Sequence, residues 1–412
     1  MVSGSSIQGR WIVDYEERVN PDRLRKERLQ RLQTEIKNHD IGAILLYDPS
    51  YIQYATGTRH QRLFTTQRFL RYALVFPDAD PYIYELVGPE HEHRRLFAPW
   101  LINRVKPAII WQYAGLAAKD QARKWAIEIK NTLKQEGIAD LPLGVDKMHL
   151  HMLKAFNSIK VEVVDGMSAI WDATSVKTSD ELELMKQSSA INDVAFEKAR
   201  EAIKTGVTGY DLAGVIAETL YSYGSECIED IIIATGWQTN PYLREITDKM
   251  IRPGDLVIMD IDPTGPSGYC SDVARTYVNA KKATIEQKEI YQECYNNLQK
   301  ILKVIKDGVS TAEVAKKMPT DDLEQAERHE TTGLLHYGHG IGINLYEPPI
   351  ITRAYSLKSS LKIKKNMVLA IETYAGKKDG KNGVRLEENV IVTENGCELI
   401  SLCPHDERLI DI

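Results

Sequence analysis

The segment Val257–Thr276, VIMDIDPTGPSGYCSDVART, places three aspartates in and beside apolar runs, and it decides how the rest of the chain is interpreted. Asp260 and Asp262 are two residues apart, so on a β-strand both side chains leave by the same face. Residues 263–269, PTGPSGY, are typical of a turn, and Asp272 then lies on a returning strand. We therefore expect a β-hairpin that brings the three carboxylates within reach of one another.

Two later β-type runs also contain acids. Glu372 interrupts LAIETYAG at 369–376, and Glu387 interrupts VRLEENVIV at 384–392. A carboxylate that is buried, charged and unpaired costs several kcal/mol, so each of these acids needs a compensating partner. Any single acid is explained by exposure on a half-buried strand or by pairing with an arginine, but this explanation does not account for all of them together.

An imidazole completes a set of candidate metal ligands. It belongs to His339, which stands between two glycines in HYGHGIG, residues 336–342. The set comprises His339, Asp262, Asp272, Glu372 and Glu387, with Asp260 beside it. Four carboxylates and one nitrogen suit two divalent first-row ions such as Fe, Mn, Co or Zn, whose four positive charges would balance four negative ones.

Composition restricts the class of protein. The chain has 412 residues, of which 43% are hydrophobic and 27% charged, and this is typical of a globular protein with two domains. The formal net charge of -6, without a basic block, argues against nucleic acid or an anionic membrane as a partner. No signal peptide or run of ~18 apolar residues is present, so we expect a cytoplasmic protein. Five scattered cysteines predict reduced thiols.

The order of patterns along the chain predicts two domains. Short apolar runs alternate with helical patterns up to about residue 165, which predicts an α/β domain over residues 1–168. Thr178 and Glu181 then have the spacing of a capping box, so we place a second, α+β domain at 169–412. Within it, AIKTGVTGYDLA at 202–213 resembles VIKDGVSTAEVA at 304–315, and we expect an internal pseudo-two-fold duplication.

Taken in order, these motifs resemble the pita-bread metalloenzymes, the superfamily of methionine aminopeptidase, Xaa-Pro dipeptidase and creatinase. The resemblance covers essentially the whole chain and implies a creatinase-type N-terminal domain followed by a pita-bread catalytic domain. It implies that the metal ligands are the acidic pair, Asp272, His339, Glu372 and Glu387. It also implies a small-molecule substrate and a homodimer.

Two departures from the superfamily concern the site itself. The first aspartate normally stands eleven residues before the second, whereas here Ile261 occupies that position between two aspartates. The peptidases also carry two further histidines, and this sequence has Tyr242 in TNPYL and Tyr346 in NLYEPP at those positions. Because losing one donor to a developing oxyanion commonly costs ~10²–10³ in rate, peptide cleavage becomes doubtful.

The sequence more closely resembles the dimethylsulfoniopropionate lyase branch, which has an Asp-x-Asp pair and a segment like DPSYIQYAT at 48–56. In this interpretation, an added acidic ligand takes coordination space that a hydrolase gives to its attacking hydroxide, and the metals grip a substrate carboxylate. The lyases carry an aspartate base just after HGxG. Here Glu347 is the one carboxylate in that tract and Tyr346 the other candidate base, although an unperturbed tyrosine is a weak base at neutral pH.

The remaining candidate residues lie near these motifs. Trp237 and Tyr242 are expected either to line the substrate pocket or to act in catalysis. His336 is assigned to substrate contact, although a role in supporting the ligands or in a turn is open. Arg275 and Arg385 are expected to neutralise the ligand carboxylates.

We therefore expect a dinuclear metal enzyme that cleaves a small carboxylated substrate in the manner of dimethylsulfoniopropionate lyase. An Xaa-Pro-type dipeptidase or related C–N hydrolase is the alternative. A catalytically inactive pita-bread module that binds a protein partner is the third interpretation.

Overall fold

The computed structural model describes residues 18–59, 70–86, 88, 95–96, 98–318 and 337–410. They form two compact units that divide between Thr174 and Ser175. The domain ranges predicted from sequence, 1–168 and 169–412, place the boundary somewhat earlier and remain a proposal. Within the described part of the chain, no helix combines the length and the apolar character that crossing a membrane requires.

The N-terminal unit contains a six-stranded mixed sheet with the strand order β4-β3-β2-β1-β5-β6. Its strands are β1 (Ala43–Leu46), β2 (Tyr72–Val75), β3 (Tyr82–Glu85), β4 (Val105–Pro107), β5 (Leu143–Val145) and β6 (Val163–Asp165). Its helices are α1 (Pro21–Asn38), α2 (Pro49–Thr56), α3 (Ala118–Gln135), α4 (Leu150–Ser158) and α5 (Met167–Ser175), the last of which runs to the boundary. Trp125 of α3 and Phe156 of α4 pack with the buried strand residues, as the expected α/β class requires.

The C-terminal unit contains two antiparallel sheets, ordered β7-β8-β9 and β11-β10-β12-β13-β14. The strands are β7 (Cys227–Thr235), β8 (Leu256–Thr264), β9 (Val273–Val278), β10 (Gly338–Gly340), β11 (Glu347–Ile350), β12 (Val368–Gly376), β13 (Gly383–Val392) and β14 (Cys397–Leu399). The helices are α6 (Ser179–Ala202), α7 (Gly209–Ser222), α8 (Ile285–Leu302) and α9 (Thr311–Ala315). Residues of α6 and α7 pack with the first sheet, and residues of α8 pack with the second.

Three helices of this unit begin at capping boxes, the first of them at the Thr178 and Glu181 pair expected from the sequence. The Glu181 backbone N–H donates to Thr178 Oγ1 at 3.3 Å, and the Thr178 N–H donates to the Glu181 carboxylate at 2.7 Å. Equivalent pairs begin α7 and α9, namely Thr208 with Asp211 and Ser310 with Glu313. Each box satisfies N–H groups that the first helical turn leaves unpaired, which explains why these helices start where they do.

Matching backbone hydrogen bonds support the internal duplication. They are Gly206 to Ile251 (2.9 Å) and Ile251 to Val207 (2.8 Å) in one half, and Gly308 to Ile363 (2.9 Å) and Ile363 to Val309 (2.8 Å) in the other. The 112 residues that separate Ile251 from Ile363 also separate Asp260 from Glu372. These two acids therefore occupy equivalent places on β8 and β12.

Two side chains form reciprocal bridges between the sheets. Thr276 Oγ1 on β9 donates to the carbonyl of Arg385 at 2.8 Å and accepts from the Arg385 N–H at 3.0 Å. Asn389 on β13 donates to the carbonyl of Asp272 at 2.6 Å and accepts from the Asp272 N–H at 3.1 Å. The same 113 residues separate Thr276 from Asn389 and Asp272 from Arg385, so the bridges are equivalents under the duplication. They fix the backbone of Asp272 next to the strand that carries Glu387.

Asn389→Ala tests the second bridge. The substitution leaves the buried N–H and C=O groups of Asp272 without their partner, so the free energy of unfolding should fall by ~2–4 kcal/mol in urea titrations. Asn279→Ala is the matched control, because its amide bonds to Thr205 and Arg252 in an exposed setting and its loss should cost less than ~1 kcal/mol. Equal losses in the two variants would contradict a specific role for the bridge.

Candidate metal centre

The hairpin predicted from the opening segment brings three aspartates together. Asp260 and Asp262 lie on β8, and Asp272 immediately precedes β9, which pairs with β8 in antiparallel register. All three side chains are buried, and one oxygen from each carboxylate lies within 4.8 Å of the others. The alternation of side chains along β8 therefore presents both aspartates to the same point as the returning chain.

A second group shares Asp272 with the first. One ligand-type atom each of Asp272, His339 and Glu387 lies within 4.8 Å of the others, and His339 Nε2 is 3.2 Å from Asp272 Oδ2. Glu372 on β12 is directly opposite Glu387 on β13 in the strand register. Five of the six residues that the sequence suggested as ligands therefore belong to these two overlapping groups, and Glu372 joins them as the strand neighbour of Glu387. Their role as ligands remains a proposal.

The backbone orients the imidazole of His339. Its Nδ1 lies 2.9 Å from the carbonyl oxygen of Gly340, which can only accept a hydrogen bond. Nδ1 therefore carries a proton, and Nε2 is the ring nitrogen that faces Asp272. A metal-binding histidine uses the same arrangement, with Nδ1 held by the backbone and Nε2 directed at the ion.

Arg385 brings one positive charge into the acidic cluster. Its guanidinium pairs with Glu372, lies 3.8 Å from Glu387 Oε2, and has Nε 3.8 Å from Asp260 Oδ2. Two residues before Glu387 on β13, it projects from the same face of the strand. The expectation that Arg385 neutralises the candidate ligands agrees with these contacts.

Arg275 has different partners from those expected. Its guanidinium makes two hydrogen bonds to the Glu388 carboxylate, at 3.0 and 2.9 Å, and another to the backbone carbonyl of Glu387 at 2.6 Å. His405 Nε2 lies 3.3 Å from Glu388 as well. Glu388 points to the opposite face of β13 from Glu387, so Arg275 supports the strand from behind and contacts none of the candidate ligand carboxylates.

The crowding of carboxylates changes their acidity. Burial raises the pKa of Asp260 to about 6, although Arg385 opposes the shift. Burial, together with neighbouring aspartates, raises the pKa of Asp262 and of Glu387 well above the ordinary range. Burial would also raise the pKa of Asp272, but its hydrogen bond with His339 and the charge of that ring hold it below its ordinary value. A raised pKa means that Asp260, Asp262 and Glu387 hold their protons more tightly, and a bound cation would displace those protons.

The side chains fit divalent metal ions. Asp260 Oδ1, Asp262 Oδ1 and both carboxylate oxygens of Glu387 are buried and accept no hydrogen bond from the described residues. Burying such oxygens without a partner is costly, and a divalent cation would offset that cost. A donor set of carboxylates with one imidazole suits first-row transition metals. These buried clusters could therefore bind metal.

The two tyrosines predicted to replace peptidase histidines lie at this site. Tyr242 Oη donates to Asp260 Oδ2 at 3.1 Å, and its ring stacks near Tyr374 with the ring centres 6.0 Å apart. Tyr346 stacks on His339, with ring centres 4.1 Å apart, and is 48% exposed. Burial, with added repulsion from nearby carboxylates, raises the pKa of both phenols.

Trp237 and His336 are the two residues that the sequence assigned to substrate binding. Trp237 lies in the 3-10 turn Gly236–Thr239 that follows β7, and its side chain is 60% exposed. It is open to solvent a few residues before Tyr242. His336 lies outside the described residues, so its assignment stays a prediction.

Glu347 forms an ion pair that the sequence did not reveal. Lys177 Nζ lies 2.8 Å from Glu347 Oε2, and the two side chains are only 1% and 0% exposed. The backbone N–H of Asn344 donates to the other carboxylate oxygen at 3.2 Å. An added Cβ on Gly342 would lie 2.8 Å from this carboxylate, so the loop closes tightly around the pair. These contacts favour a loop-organising role for Glu347 over the role of general base expected from sequence.

Sequence comparisons relate the chain to metal-dependent enzymes. The description "Metallopeptidase family M24" matches residues 183–394, just over half of the chain. Dimethylsulfoniopropionate lyase DddP of Roseovarius nubinhibens is 26% identical over 399 residues, covering 94% of this chain and 88% of the relative. Xaa-Pro dipeptidase of Lactobacillus helveticus is 27% identical over 399 residues, covering 93% of this chain and 99% of the relative.

Solved structures show the fold. Xaa-Pro dipeptidase from Bacillus anthracis aligns with a TM-score of 0.73 at 21% identity, covering 93% of this chain and 99% of that one. Dipeptidase PepE from Mycobacterium ulcerans aligns with a TM-score of 0.74 at 21% identity, covering 94% and 98%. These likenesses confirm the expected class, an α/β N-terminal domain with an α+β pita-bread domain.

Metal analysis of aspartate variants tests the ligand assignment. Asp262→Ala removes one carboxylate from the group formed by Asp260, Asp262 and Asp272, and it should abolish metal retention after reconstitution and desalting. Asp260→Ala should lower or alter the metal content without abolishing it, because Asp260 is also held by Tyr242 and Arg385. Asp230→Ala is the control, since this exposed acid pairs with Asp262 in the strand register but lies outside both clusters. Full metal in both test variants, measured by plasma mass spectrometry, would show the assignment to be wrong.

A substitution of Lys177 tests the buried ion pair. Lys177→Met leaves the Glu347 carboxylate buried and unpaired, so the free energy of unfolding should fall by ~3–5 kcal/mol. The double variant Lys177→Met, Glu347→Gln removes both charges and should recover much of that loss in urea titrations. Lys377→Met, which breaks an exposed pair with Glu289, should cost ~0–1 kcal/mol. A double variant no more stable than Lys177→Met would contradict coupling between the two side chains.

Proposed function

This chain belongs to metallopeptidase family M24, and we propose that it is a metal-dependent lyase that cleaves a small carboxylated substrate of the dimethylsulfoniopropionate type. The observation that carries the proposal is the convergence of Asp260, Asp262 and Asp272 within 4.8 Å. A third aspartate takes up space that a hydrolase needs for its attacking water. The similarity to dimethylsulfoniopropionate lyase DddP along 94% of the chain supports the same choice.

The proposed ligands carry a suitable total charge for two divalent ions. The residues that would hold them are Asp260, Asp262, Asp272, His339, Glu372 and Glu387. With Arg385 counted, five carboxylates and one guanidinium leave four negative charges. Two bound ions, Fe, Mn, Co or Zn, would supply Lewis acidity toward the substrate carboxylate.

The proposed reaction is an elimination. A base removes a proton from the carbon next to the carboxylate, a C=C bond forms, and the C–S bond breaks with its electron pair on sulfur. The products are dimethyl sulfide and acrylate. Tyr242 donates its hydroxyl to Asp260, so this phenol is already engaged and does not replace the missing peptidase histidine as a donor to a carbonyl.

The base is sought between Tyr346 and Glu347. Tyr346 is half exposed and touches His339, so a substrate can reach it. Its raised pKa keeps the phenol protonated at neutral pH, so it could act as a base only if a bound cation lowered that pKa. Glu347 offers a carboxylate, but Lys177 and the Asn344 N–H hold both of its oxygens. Both residues stay candidates for the base, and we place Tyr346 in the wall of the substrate pocket.

Two alternative functions remain. The Xaa-Pro dipeptidase of Lactobacillus helveticus, similar along 99% of its own length, favours peptide hydrolysis. A catalytically inactive binding module is the other alternative, and the complete set of buried candidate ligands argues against it. We also propose that the protein is a homodimer and is located in the cytoplasm.

Product analysis tests the proposed reaction. Metal-loaded enzyme is incubated with dimethylsulfoniopropionate and, separately, with a panel of Xaa-Pro dipeptides, while dimethyl sulfide is measured by gas chromatography and free proline by derivatisation. We expect dimethyl sulfide, and we expect Asp262→Ala to abolish its release because the metal would be lost.

The other outcomes distinguish the alternatives. Release of proline without dimethyl sulfide would overturn the lyase in favour of the dipeptidase. Neither product, combined with less than about one metal ion per chain after reconstitution, would favour the binding module.

A further inference from the structure

The positively charged side chains around the acidic cluster nearly all have acidic partners. Arg385 pairs with Glu372, and the other ion pairs are Arg275 with Glu388 and Lys177 with Glu347. Arg244 differs, because it forms no ion pair with any residue that the structure describes. An arginine beside such a concentration of carboxylates would ordinarily be drawn to one of them.

The location of Arg244 is close to the reacting region. Its guanidinium carbon lies 5.7 Å from the ring centre of Tyr242, and the hydroxyl of that ring is 3.1 Å from Asp260 Oδ2. Arg244 is therefore separated from the aspartates by one aromatic side chain. It is exposed to solvent, and its charge helps to counter the rise that burial causes in the pKa of Asp260.

We propose that Arg244 binds the carboxylate of the substrate together with the bound ions and so determines the specificity of this site. A guanidinium offers a planar pair of N–H donors that matches the two oxygens of a carboxylate. Stacking over Tyr242 holds the guanidinium near the cluster without using those donors. Arg385 is less suited to this contact, because the candidate ligands surround it.

This assignment defines the substrate class more narrowly. It rests on the proposed function, in which a carboxylated small molecule reacts at the acidic cluster. The Arg244 guanidinium favours a molecule with a free carboxylate over the corresponding amide or ester, because a neutral carbonyl gains much less from a cationic donor. The bound ions and Arg385 would balance the five acidic side chains, so Arg244, which has no acidic partner among the described residues, is a positive charge left for a substrate anion.

Binding of propionate and propionamide to the zinc-loaded enzyme tests the assignment without requiring turnover. Ligand-detected NMR titrations should show that wild-type protein prefers propionate and that the affinity falls with added sodium chloride. Arg244→Gln should weaken propionate binding by ~10–100-fold and remove most of the salt dependence, while Arg244→Lys should restore part of the affinity. Zinc content is measured for every variant and should not change.

Arg252→Gln is the matched control, because it removes another exposed arginine from the same segment and should leave propionate binding unchanged. Equal propionate affinity in wild type and Arg244→Gln, or no preference of wild type for propionate over propionamide, would overturn the assignment. If propionate binding depends on Arg244 but the enzyme releases neither dimethyl sulfide nor proline, the proposed function fails while this inference stands. In an active enzyme, Arg244→Gln should raise KM more than it lowers kcat.

Discussion

Five buried carboxylates repel one another where the two sheets of the C-terminal unit meet, and this repulsion must be offset for the fold to form. One offset is Arg385, which reaches Glu372, Glu387 and Asp260. A second is the retention of protons, since burial and mutual repulsion raise the pKa of several of the acids. A bound cation would be a third. The strands around the cluster have to be held rigidly, because the acids alone would push them apart.

The duplication explains how that rigidity is achieved. Thr276 bridges to the backbone of Arg385, and Asn389 bridges to the backbone of Asp272, so each half of the unit holds a strand of the other. The equivalence also shows where the halves have diverged. Asp272 in the first half corresponds to Arg385 in the second, so one position contributes an acid to the cluster and its counterpart contributes the cation. The symmetry of the backbone thus supports an asymmetric distribution of charge.

Features that depend on short sequence separations could be predicted. The period of two along a strand placed Asp260 and Asp262 on one face, and the turn residues placed Asp272 opposite them. The capping boxes were equally predictable, since each depends on residues three positions apart.

Contacts between distant residues could not be predicted in this way. Lys177 and Glu347 are 170 residues apart, and nothing in TSVKTSDE distinguishes a buried lysine from an exposed one. The same applies to Arg275, which was expected to neutralise the ligand carboxylates: its partner Glu388 is adjacent in sequence to the candidate ligand Glu387 but points to the other face of β13. Because side chains alternate along β13, the sequence places Glu387 and Glu388 on opposite faces of the strand, but it does not show which of the two faces Arg275 approaches.

The reciprocal bridges also affect the order in which the centre can form during synthesis. Asp272 emerges from the ribosome 115 residues before Glu387, an interval of roughly 6–23 seconds at ordinary rates of elongation. Throughout that interval the hairpin lacks the Asn389 amide that holds Asp272, and it lacks the Arg385 charge as well. When it first emerges, the nascent hairpin would present three aspartates without the imidazole or the glutamates, because His339 follows Asp272 by 67 residues and Glu372 follows it by 100. The centre is completed only when the second half of the unit has been made.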